Sequence, residues 1–320
     1  MTRPSEDALI ARYFAPLAGA AGLGLRDDAA LLAPSPGRDL VLTTDALAAG
    51  VHFFPDDPPD AIARKALRVN LSDLAAKGAR PEGFLLTLAL PSDWREPWLA
   101  AFAEGLGADA RGFACPLIGG DTVRTSGPLL VSITAVGSVA AGRMTRRDGA
   151  QPGDLLYVTG TIGDAALGLL ARAGSLRVDA ASRTHLVARY LEPQPRLAII
   201  AALVRDAHAA MDVSDGLIGD LTKMMGVAGV GARIEAAAIP LSPAARAAIG
   251  DDEALWRRAV TGGDDYEILC AVAPQNAGRF AAAAGVSVTR IGHVTAAPAV
   301  VVTRADGTVA SFEQTAYQHF

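Results

Sequence analysis

Apolar positions along the chain follow two patterns that alternate from one end to the other. Short runs rich in Val, Leu, Ile and Thr between turn residues are typical of strands, and apolar residues at intervals of three and four are typical of helices. The predicted strands are Asp39–Thr44, Phe84–Leu90, Leu129–Val136, Leu155–Thr159, Ile268–Val272 and Ala299–Thr303. The predicted helices are Pro59–Ala76, Trp94–Arg111, Ile162–Ala173, Pro193–Ala207, Asp215–Met225 and Asn276–Ala284. Strands interleaved with helices predict an α+β fold of the α/β type.

A domain boundary is predicted near residue 150. The segment Arg147–Asp154 (RDGAQPGD) is polar and turn-forming, and a new apolar run, LLYVTG, follows it directly. A length of 320 residues also fits two domains. The sequence therefore predicts an N-terminal domain of residues 1–149 and a C-terminal domain of residues 150–320.

Composition and charge exclude several classes of protein. A hydrophobic content of 51% with a net charge of only −5 excludes a disordered chain, and the longest apolar runs are too short to span a membrane. A pI of about 5.6 without basic–aromatic interleaving argues against nucleic-acid binding. The N-terminal stretch carries acids early, unlike a secretion signal. Cys115 and Cys270 lie far apart, which predicts buried thiols in a reducing compartment. We therefore expect a cytoplasmic protein with no nucleic-acid or membrane partner.

Aspartate dominates the acidic residues, with 25 Asp against 9 Glu. Six short segments place Asp beside small residues at a predicted strand end or helix start. Each alone is typical of a turn or a helix cap. Six together predict a site for several divalent cations, because so many carboxylates would repel a polyphosphate unless cations lay between them. The segments begin at residues 27 (DDAA), 43 (TTD), 70 (NLSD), 119 (GGDT), 212 (DVSDG) and 262 (GGDDY).

Other phosphate-handling motifs are absent from the sequence. It contains no G-x-x-x-x-G-K-[S/T], which excludes a P-loop, and neither H-R-D nor D-F-G, which excludes the eukaryotic type of protein kinase. G-x-S-x-G is absent too, so the usual nucleophile turn of α/β-hydrolases is excluded. The aspartate segments therefore remain the main candidates for a functional site.

These segments occur in an order and spacing that resemble a known family. The matching stretches are RDDAALL, TTDALAAGVHF, KALRVNLSDLAAKGARP, LIGGDTVR, MDVSDGLIGDL, TGGDDYEILC and AYQHF. From about residue 5 to its end, the chain resembles the thiamine-monophosphate kinases of the aminoimidazole ribonucleotide synthetase-like superfamily. The resemblance implies direct, magnesium-assisted transfer of the γ-phosphoryl group of ATP to thiamine phosphate. It also implies a homodimer, in which N-terminal sheet domains pair into a barrel and each C-terminal domain is α/β.

The resemblance also implies roles for individual residues. The implied catalytic residues are Asp73, Asp121 and Asp212. The implied ligands of several Mg²⁺ ions are Asp28, Thr43, Thr44, Asp45, Asp73, Asp121, Asp212 and Asp215. The implied ATP contacts are Gly120, Asp121, Arg146 and Ser214. The implied contacts to thiamine phosphate are His52, Asp264 and Tyr317.

Two positions depart from the family pattern. Arg26 stands where the family usually has Gly before the first Asp pair, and Asp264 stands where it usually has Glu. A side chain at 26 could alter the turn that carries Asp28. Asp264 is one methylene shorter than Glu, which reduces its reach by about 1.5 Å.

The expected chemistry agrees with an aspartate-rich site. A phosphate acceptor is already ionised at neutral pH, so positioning and charge neutralisation matter more than a strong general base. Three alternatives remain at this point: another ATP-using member of the superfamily, a metal-dependent phosphohydrolase, and a non-catalytic nucleotide-binding module. Selenophosphate synthetase normally carries a reactive Cys near its N-terminus, whereas the first Cys here is Cys115.

The two most apolar strands bear on the predicted dimer. Phe84–Leu90 and much of Leu129–Val136 are apolar at nearly every position. We therefore expect them to present an apolar edge that a second copy covers, unless a helix such as Trp94–Arg111 covers them instead.

Overall fold

The computed structural model describes residues 5–313 and 315–317. Its chain divides into two compact units. The first contains residues up to Leu74 and Ala79–Gly142, and the second contains Ala75–Gly78 and the chain from Arg143 onward. The predicted boundary at 149/150 lies a few residues beyond this division, and the assignment of a role to each domain stays a prediction.

The first unit is built on a four-stranded sheet. Its elements in chain order are α1 (Glu6–Leu9), a π-helical turn (Ile10–Phe14), two 3₁₀ segments (Ala15–Leu17 and Ala20–Leu25), β1 (Arg38–Ala48), α2 (Pro59–Ala76), β2 (Arg80–Leu90), α3 (Glu96–Gly112), β3 (Leu117–Arg124) and β4 (Leu130–Ala140). The strand order is β1-β4-β2-β3. β2 and β3 pair in parallel through the α3 crossover, and the other neighbours pair antiparallel.

One face of this sheet is covered by α2. Gly137 of β4 lies so close to α2 that an added Cβ would sit 3.0 Å from the Leu74 side chain. α3 packs on α2 in turn, and Arg68 Nε donates to Asp109 Oδ2 at 2.6 Å within that contact. The inward strand residues, such as Phe84 and Ile133, are fully buried.

The opposite face of the sheet is open within this unit. The register pairs Leu42 with Val136, Leu85 with Thr134 and Thr87 with Asp121, so alternate residues of all four strands share this face. Leu42 is 64% exposed and Leu85 38% exposed. A half-buried sheet of this kind normally has polar residues on its solvated face.

The predicted apolar edge is wrong in its location. Phe84–Leu90 and Leu129–Val136 fall in β2 and β4, which are the two central strands, whereas β1 and β3 form the edges. Their apolar character arises because Phe84, Leu86 and Leu88 point to the covered face and pack there. The exposed leucines of the sheet itself, such as Leu42 and Leu85, lie on its open face.

The second unit is built on a six-stranded sheet. Its elements are β5 (Leu155–Thr159), α4 (Asp164–Arg172), α5 (Ala180–Leu191), α6 (Ile200–Asp206), β6 (Ala207–Val213), α7 (Leu217–Ala228), β7 (Gly231–Glu235), α8 (Pro243–Ile249), α9 (Glu253–Thr261), β8 (Glu267–Val272), α10 (Ala277–Ala283), β9 (Val288–Thr295) and β10 (Val300–Thr303). The strand order is β10-β7-β9-β5-β8-β6. β10 and β7 pair in parallel, and the other neighbours pair antiparallel.

Both faces of this sheet are buried, because helices pack on each side. Leu156 and Val158 of β5 join a cluster with α7, whereas Tyr157 between them joins Phe280 of α10 on the other side. Each face therefore contributes to a separate apolar cluster. Within residues 5–313 and 315–317, no helix has the length and apolar character needed to cross a membrane.

Both cysteines are free and fully buried, as the sequence predicts. Burial raises the pKa of the Cys115 thiol to about 12, with the charge of Glu82 acting in the same direction. Burial raises the pKa of the Cys270 thiol as well, so both cysteines favour the neutral thiol over the reactive thiolate at neutral pH.

Candidate functional site

A groove on the open face of the first sheet brings three predicted residues together. Its volume is about 830 Å³, and Asp28, Gly120 and Asp121 line it beside apolar residues such as Leu42 and Leu85. Asp28 and Asp121 are both exposed. A volume of several hundred Å³ with apolar walls and a few convergent polar groups is typical of a small-molecule site.

Gly120 is a position that only glycine can occupy. Its φ is +154°, and an added Cβ would lie 1.9 Å from the Leu86 carbonyl oxygen. β3 therefore approaches β2 closely at the point where Asp121 begins to face the groove. Glycine here also leaves the backbone accessible to a bound phosphate.

Thr43 and Thr44 direct their side chains to opposite faces of the sheet. The Thr43 hydroxyl donates to Asp73 Oδ2 on α2, on the covered face. Thr44 Oγ1 donates to the Ile133 carbonyl oxygen at 3.1 Å and accepts from Thr134 Oγ1 at 3.1 Å, on the open face. The alternation of β1 puts Asp45 on the same side as Thr43.

The predicted metal ligands of this unit thus form two groups. Asp28, Thr44 and Asp121 lie on the open face, and Thr43, Asp45 and Asp73 lie on the face that meets α2. Across the described part of the chain, no three His, Cys, Asp or Glu side chains are gathered closely enough to hold a metal ion.

His52 lies in the turn after β1 and is held from two sides. The Ala48 N–H donates to His52 Nδ1 at 3.1 Å, and Lys65 Nζ donates to the His52 carbonyl oxygen at 3.0 Å. Because Nδ1 accepts, a neutral His52 carries its proton on Nε2. Lys65 is only 2% exposed, so the turn is anchored by a buried ammonium group.

In the second unit, four predicted residues meet through backbone hydrogen bonds. The Asp264 N–H donates to the Ser214 carbonyl oxygen at 2.8 Å, and the Tyr317 N–H donates to the Asp215 carbonyl oxygen at 3.0 Å. Asp212 precedes this cluster at the end of β6 and is buried. The adjacent pairing of β6 and β8 explains the arrangement, because their connecting loops lie at the same end of the sheet.

Asp215 carries an ion pair that the sequence does not predict. Lys223 Nζ donates to Asp215 Oδ2 and, at 3.0 Å, to Asp220 Oδ1. Partial burial lowers the pKa of the Lys223 ammonium group. The hydrogen bonds and charges of the two carboxylates have the larger effect, so the pKa is raised overall. Burial also acts on Asp220, and it raises the pKa of that carboxyl group. The sequence has only three lysines among its 29 basic residues, at positions 65, 77 and 223. That rarity is the one signal in the sequence that points to these side chains.

Arg146 also lies in the second unit, with an exposed side chain. Its Nε and Nη2 donate to the Asp148 carboxylate at 2.8 and 2.6 Å. Its carbonyl oxygen accepts from the Ala210 N–H of β6 at 3.0 Å. Asp148 therefore orients the guanidinium, whose remaining N–H donors can still reach an incoming phosphate.

The two departures from the family pattern have different structural consequences. Arg26 has φ −118° and ψ 7°, a conformation open to any residue, so no glycine is required there. Asp264 has φ +73°. Asp adopts this left-handed conformation more readily than Glu, so the shorter acid suits the backbone while it loses reach.

Two family models match the chain. The family described as AIR synthase related protein, N-terminal domain, matches residues 26–139. The one described as AIR synthase related protein, C-terminal domain, matches residues 151–304. Together the matches cover most of the chain and define its class, a protein composed of the two AIR synthase related domains.

Named relatives narrow this class. The chain is 46% identical to the thiamine-monophosphate kinase of Caulobacter vibrioides over 298 residues, which are 91% of this chain and 84% of that protein. It is 42% identical to the thiamine-monophosphate kinase of Salmonella typhimurium over 322 residues, 98% of each chain. A solved structure described as AaThiL complexed with AMPPCP and TMP has a TM-score of 0.80 and 29% identity, and covers 100% of this chain and 99% of that one. The chain belongs to the thiamine-monophosphate kinase family, which confirms the predicted resemblance and fold class.

Proposed function

We propose that this protein transfers the γ-phosphoryl group of ATP to the phosphate of thiamine phosphate and releases thiamine diphosphate. The observation that carries the proposal is the 42% identity over 98% of both chains with a named thiamine-monophosphate kinase. The related structure complexed with AMPPCP and TMP supports the same pair of substrates.

The direct test supplies ATP with a radioactive γ-phosphate, with and without thiamine phosphate, and measures which product carries the label. We expect label in thiamine diphosphate only when both substrates are present. Label in free phosphate regardless of thiamine phosphate would overturn the proposal in favour of a phosphohydrolase. Bound but unreacted ATP would instead indicate a non-catalytic nucleotide-binding module.

The chemical character of the site supports magnesium as the metal. The candidate ligands are carboxylate and hydroxyl oxygens, the hard donors that Mg²⁺ prefers, and Mg²⁺ is usually held by one or two carboxylates together with substrate phosphates and water. Asp73 with Thr43, and Asp28 with Asp121, provide such small sets. When bound, magnesium would neutralise phosphate charge.

The roles of the remaining residues follow from this proposal. Gly120 would let the backbone approach ATP, and Arg146 and Ser214 would contact the nucleotide. His52, Asp264 and Tyr317 would contact thiamine phosphate. The catalytic set would be Asp73, Asp121 and Asp212, which position the phosphates and require no deprotonation of the acceptor.

Asp264→Ala and His52→Ala are each expected to raise the KM for thiamine phosphate while leaving the KM for ATP nearly unchanged. Both residues are proposed to touch the acceptor and not the nucleotide, so the loss should fall on acceptor binding. Steady-state kinetics with each substrate varied in turn measures the split. Asp251→Ala, which removes an exposed carboxylate between α8 and α9, is the matched control. A rise in the ATP KM of equal size would contradict the assignment.

We further propose that two copies associate through the open face of the first sheet. The exposed leucines Leu40, Leu42 and Leu85 on that face support the proposal, because contiguous exposed apolar side chains mark interaction surfaces. A homodimer paired in this way would form the barrel that the family resemblance implies. A cytoplasmic location stays a prediction from the cysteine usage.

Sedimentation at low micromolar concentration should give about twice the chain mass of 32.8 kDa. Leu42→Glu should shift the protein towards the single-chain mass, because it would bury a charge in the proposed interface. Val227→Glu, which changes a 56% exposed residue of α7, is the control and should leave the mass doubled. A wild-type protein that is active at the single-chain mass would refute the dimer.

A further inference from the structure

The loop between α9 and β8 has an unusual backbone on both sides of Asp265. Asp264 has φ +73° and Tyr266 has φ +51°. Non-glycine residues in this left-handed region are disfavoured and persist only where their surroundings hold them. The conformation that carries Asp264 must therefore be held by specific contacts.

One side of this loop is fixed to the end of β6. The Asp264 N–H donates to the Ser214 carbonyl oxygen at 2.8 Å, and the Tyr266 N–H donates to the Val213 carbonyl oxygen at 2.8 Å. Gly263 precedes these two residues and lies so close to the end of β6 that an added Cβ would be 2.2 Å from the Ser214 carbonyl oxygen. Both left-handed residues thus direct their amides to the same strand end.

The other side of the loop is fixed by the Asp265 side chain. Its carboxylate is fully buried, and it accepts from the Gly163 N–H at 2.7 Å and from the Ala165 N–H at 3.2 Å. Gly163 is the N-cap of α4 and Ala165 lies in its first turn. N–H groups at a helix start lack partners inside the helix and favour a negative charge. Burial raises the pKa of Asp265 well above its usual range, and the two amides and Arg189 act against that rise.

We infer that Asp265 is a positioning residue for the thiamine phosphate site: its buried carboxylate, bonded to the start of α4, holds the left-handed backbone that sets Asp264 beside Ser214 and Asp215. The inference rests on the proposed function, because Asp264 has a substrate to contact only there. Asp265 itself touches no substrate in this scheme and acts through the residue before it.

Asp265→Asn tests the inference with little change in side-chain volume. An amide group offers one acceptor oxygen where the carboxylate offers two, so at least one of the two α4 amides loses its partner. We expect the KM for thiamine phosphate to rise about tenfold, the size associated with one hydrogen bond to a charged group. The KM for ATP should stay within about twofold of the wild-type value.

Asp206→Asn is the matched control for this substitution. The Asp206 side chain is also fully buried, at the end of α6, but it bonds to Arg205 and Arg279 instead of the loop. We expect this variant to lose stability without a change in either KM. A merely structural role for Asp265 would lower the folded fraction, and with it the apparent kcat, and would leave both KM values unchanged.

Two further measurements connect Asp265 to Asp264. Amide hydrogen exchange at Asp264 and Tyr266 should accelerate in Asp265→Asn and not in Asp206→Asn. The effects of Asp265→Asn and Asp264→Ala on the KM for thiamine phosphate should be non-additive in the double variant, as for residues that act as a unit.

Unchanged exchange at Asp264 and Tyr266, or additive effects in the double variant, would overturn the inference. A wild-type protein that does not phosphorylate thiamine phosphate would overturn the proposed function instead. The exchange measurement would then still decide whether Asp265 holds the loop.

Discussion

Asp73→Asn is expected to lower kcat by about a hundredfold or more while the protein stays folded. Removing one preorganised charge contact to the transferring group typically costs about 3–4 kcal/mol of transition-state stabilisation. The substitution keeps the shape of the side chain and an oxygen that can still accept from the Thr43 hydroxyl. The loss should therefore come from the missing charge and not from a change in the packing of α2.

The measurement is kcat at saturating ATP and thiamine phosphate over a range of magnesium concentrations, with circular dichroism to verify the fold. Asp93→Asn, an exposed aspartate between β2 and α3, is the control and should behave as wild type. Near-normal turnover of Asp73→Asn at saturating magnesium would show that Asp73 is not a metal ligand.

Glu267→Gln is expected to lower the free energy of unfolding by about 3–5 kcal/mol, the usual cost of breaking a buried ion pair from one side. Glu267 is fully buried at the start of β8. Its carboxylate accepts from Arg189 Nη2 at 2.8 Å, from Arg196 Nε at 2.6 Å and from Thr159 Oγ1 at 2.6 Å. A neutral side chain would remove the charge to which two largely buried guanidinium groups donate.

Urea denaturation of the variant and the wild type measures this loss. Glu253→Gln is a close control, because Glu253 also pairs with two arginines, Arg257 and Arg304, but its side chain is 50% exposed. Exposed pairs contribute about 0–1 kcal/mol, so the control should change little. Equal losses in the two variants would mean that burial does not set the strength of these pairs.

The sequence predicts most of the long elements correctly, since their apolar spacing is regular. The helix predicted at Pro59–Ala76 has those bounds in the structure, and the strand predicted at Leu155–Thr159 also matches. The helix predicted over Pro193–Ala207 is too long. Its α-helical part is Ile200–Asp206, because Arg196 turns towards Glu267 and a 3₁₀ turn precedes the helix.

Two strands absent from the prediction, β3 and β6, lack a clear local signal. β3 (LIGGDTVR) contains two glycines and β6 (AHAAMDV) three alanines, and both residue types are weak strand formers. Pairing along β2 and β8 gives these segments their extended conformation. Tertiary contact, which periodicity within a segment does not report, decides their structure.

In the candidate site too, some features can be predicted from the local sequence and others depend on tertiary contacts. The segments that contain Asp28, Gly120 and Asp121 stand out by residue type, the family resemblance implies these residues, and the structure gathers them at one groove. The partners that hold the candidate residues cannot be predicted in this way. Lys223 on Asp215 and Lys65 on the His52 carbonyl oxygen are contacts across separate elements, and the roles of Asp265 and Glu267 depend on burial.

Residues Ala75–Gly78 belong to the second unit although they are separated from the rest of it in the sequence. They close α2, yet Ala75 and Ala76 lie in the apolar cluster of Tyr157 and Cys270, and Lys77 Nζ donates to the Ala210 carbonyl oxygen at 2.8 Å. This unit therefore contains two stretches of chain that are synthesised at different times. A single recombination crossover near residue 142 between two related genes would not transfer the whole second unit. Every such chimera inherits part of one hydrophobic core from each parent.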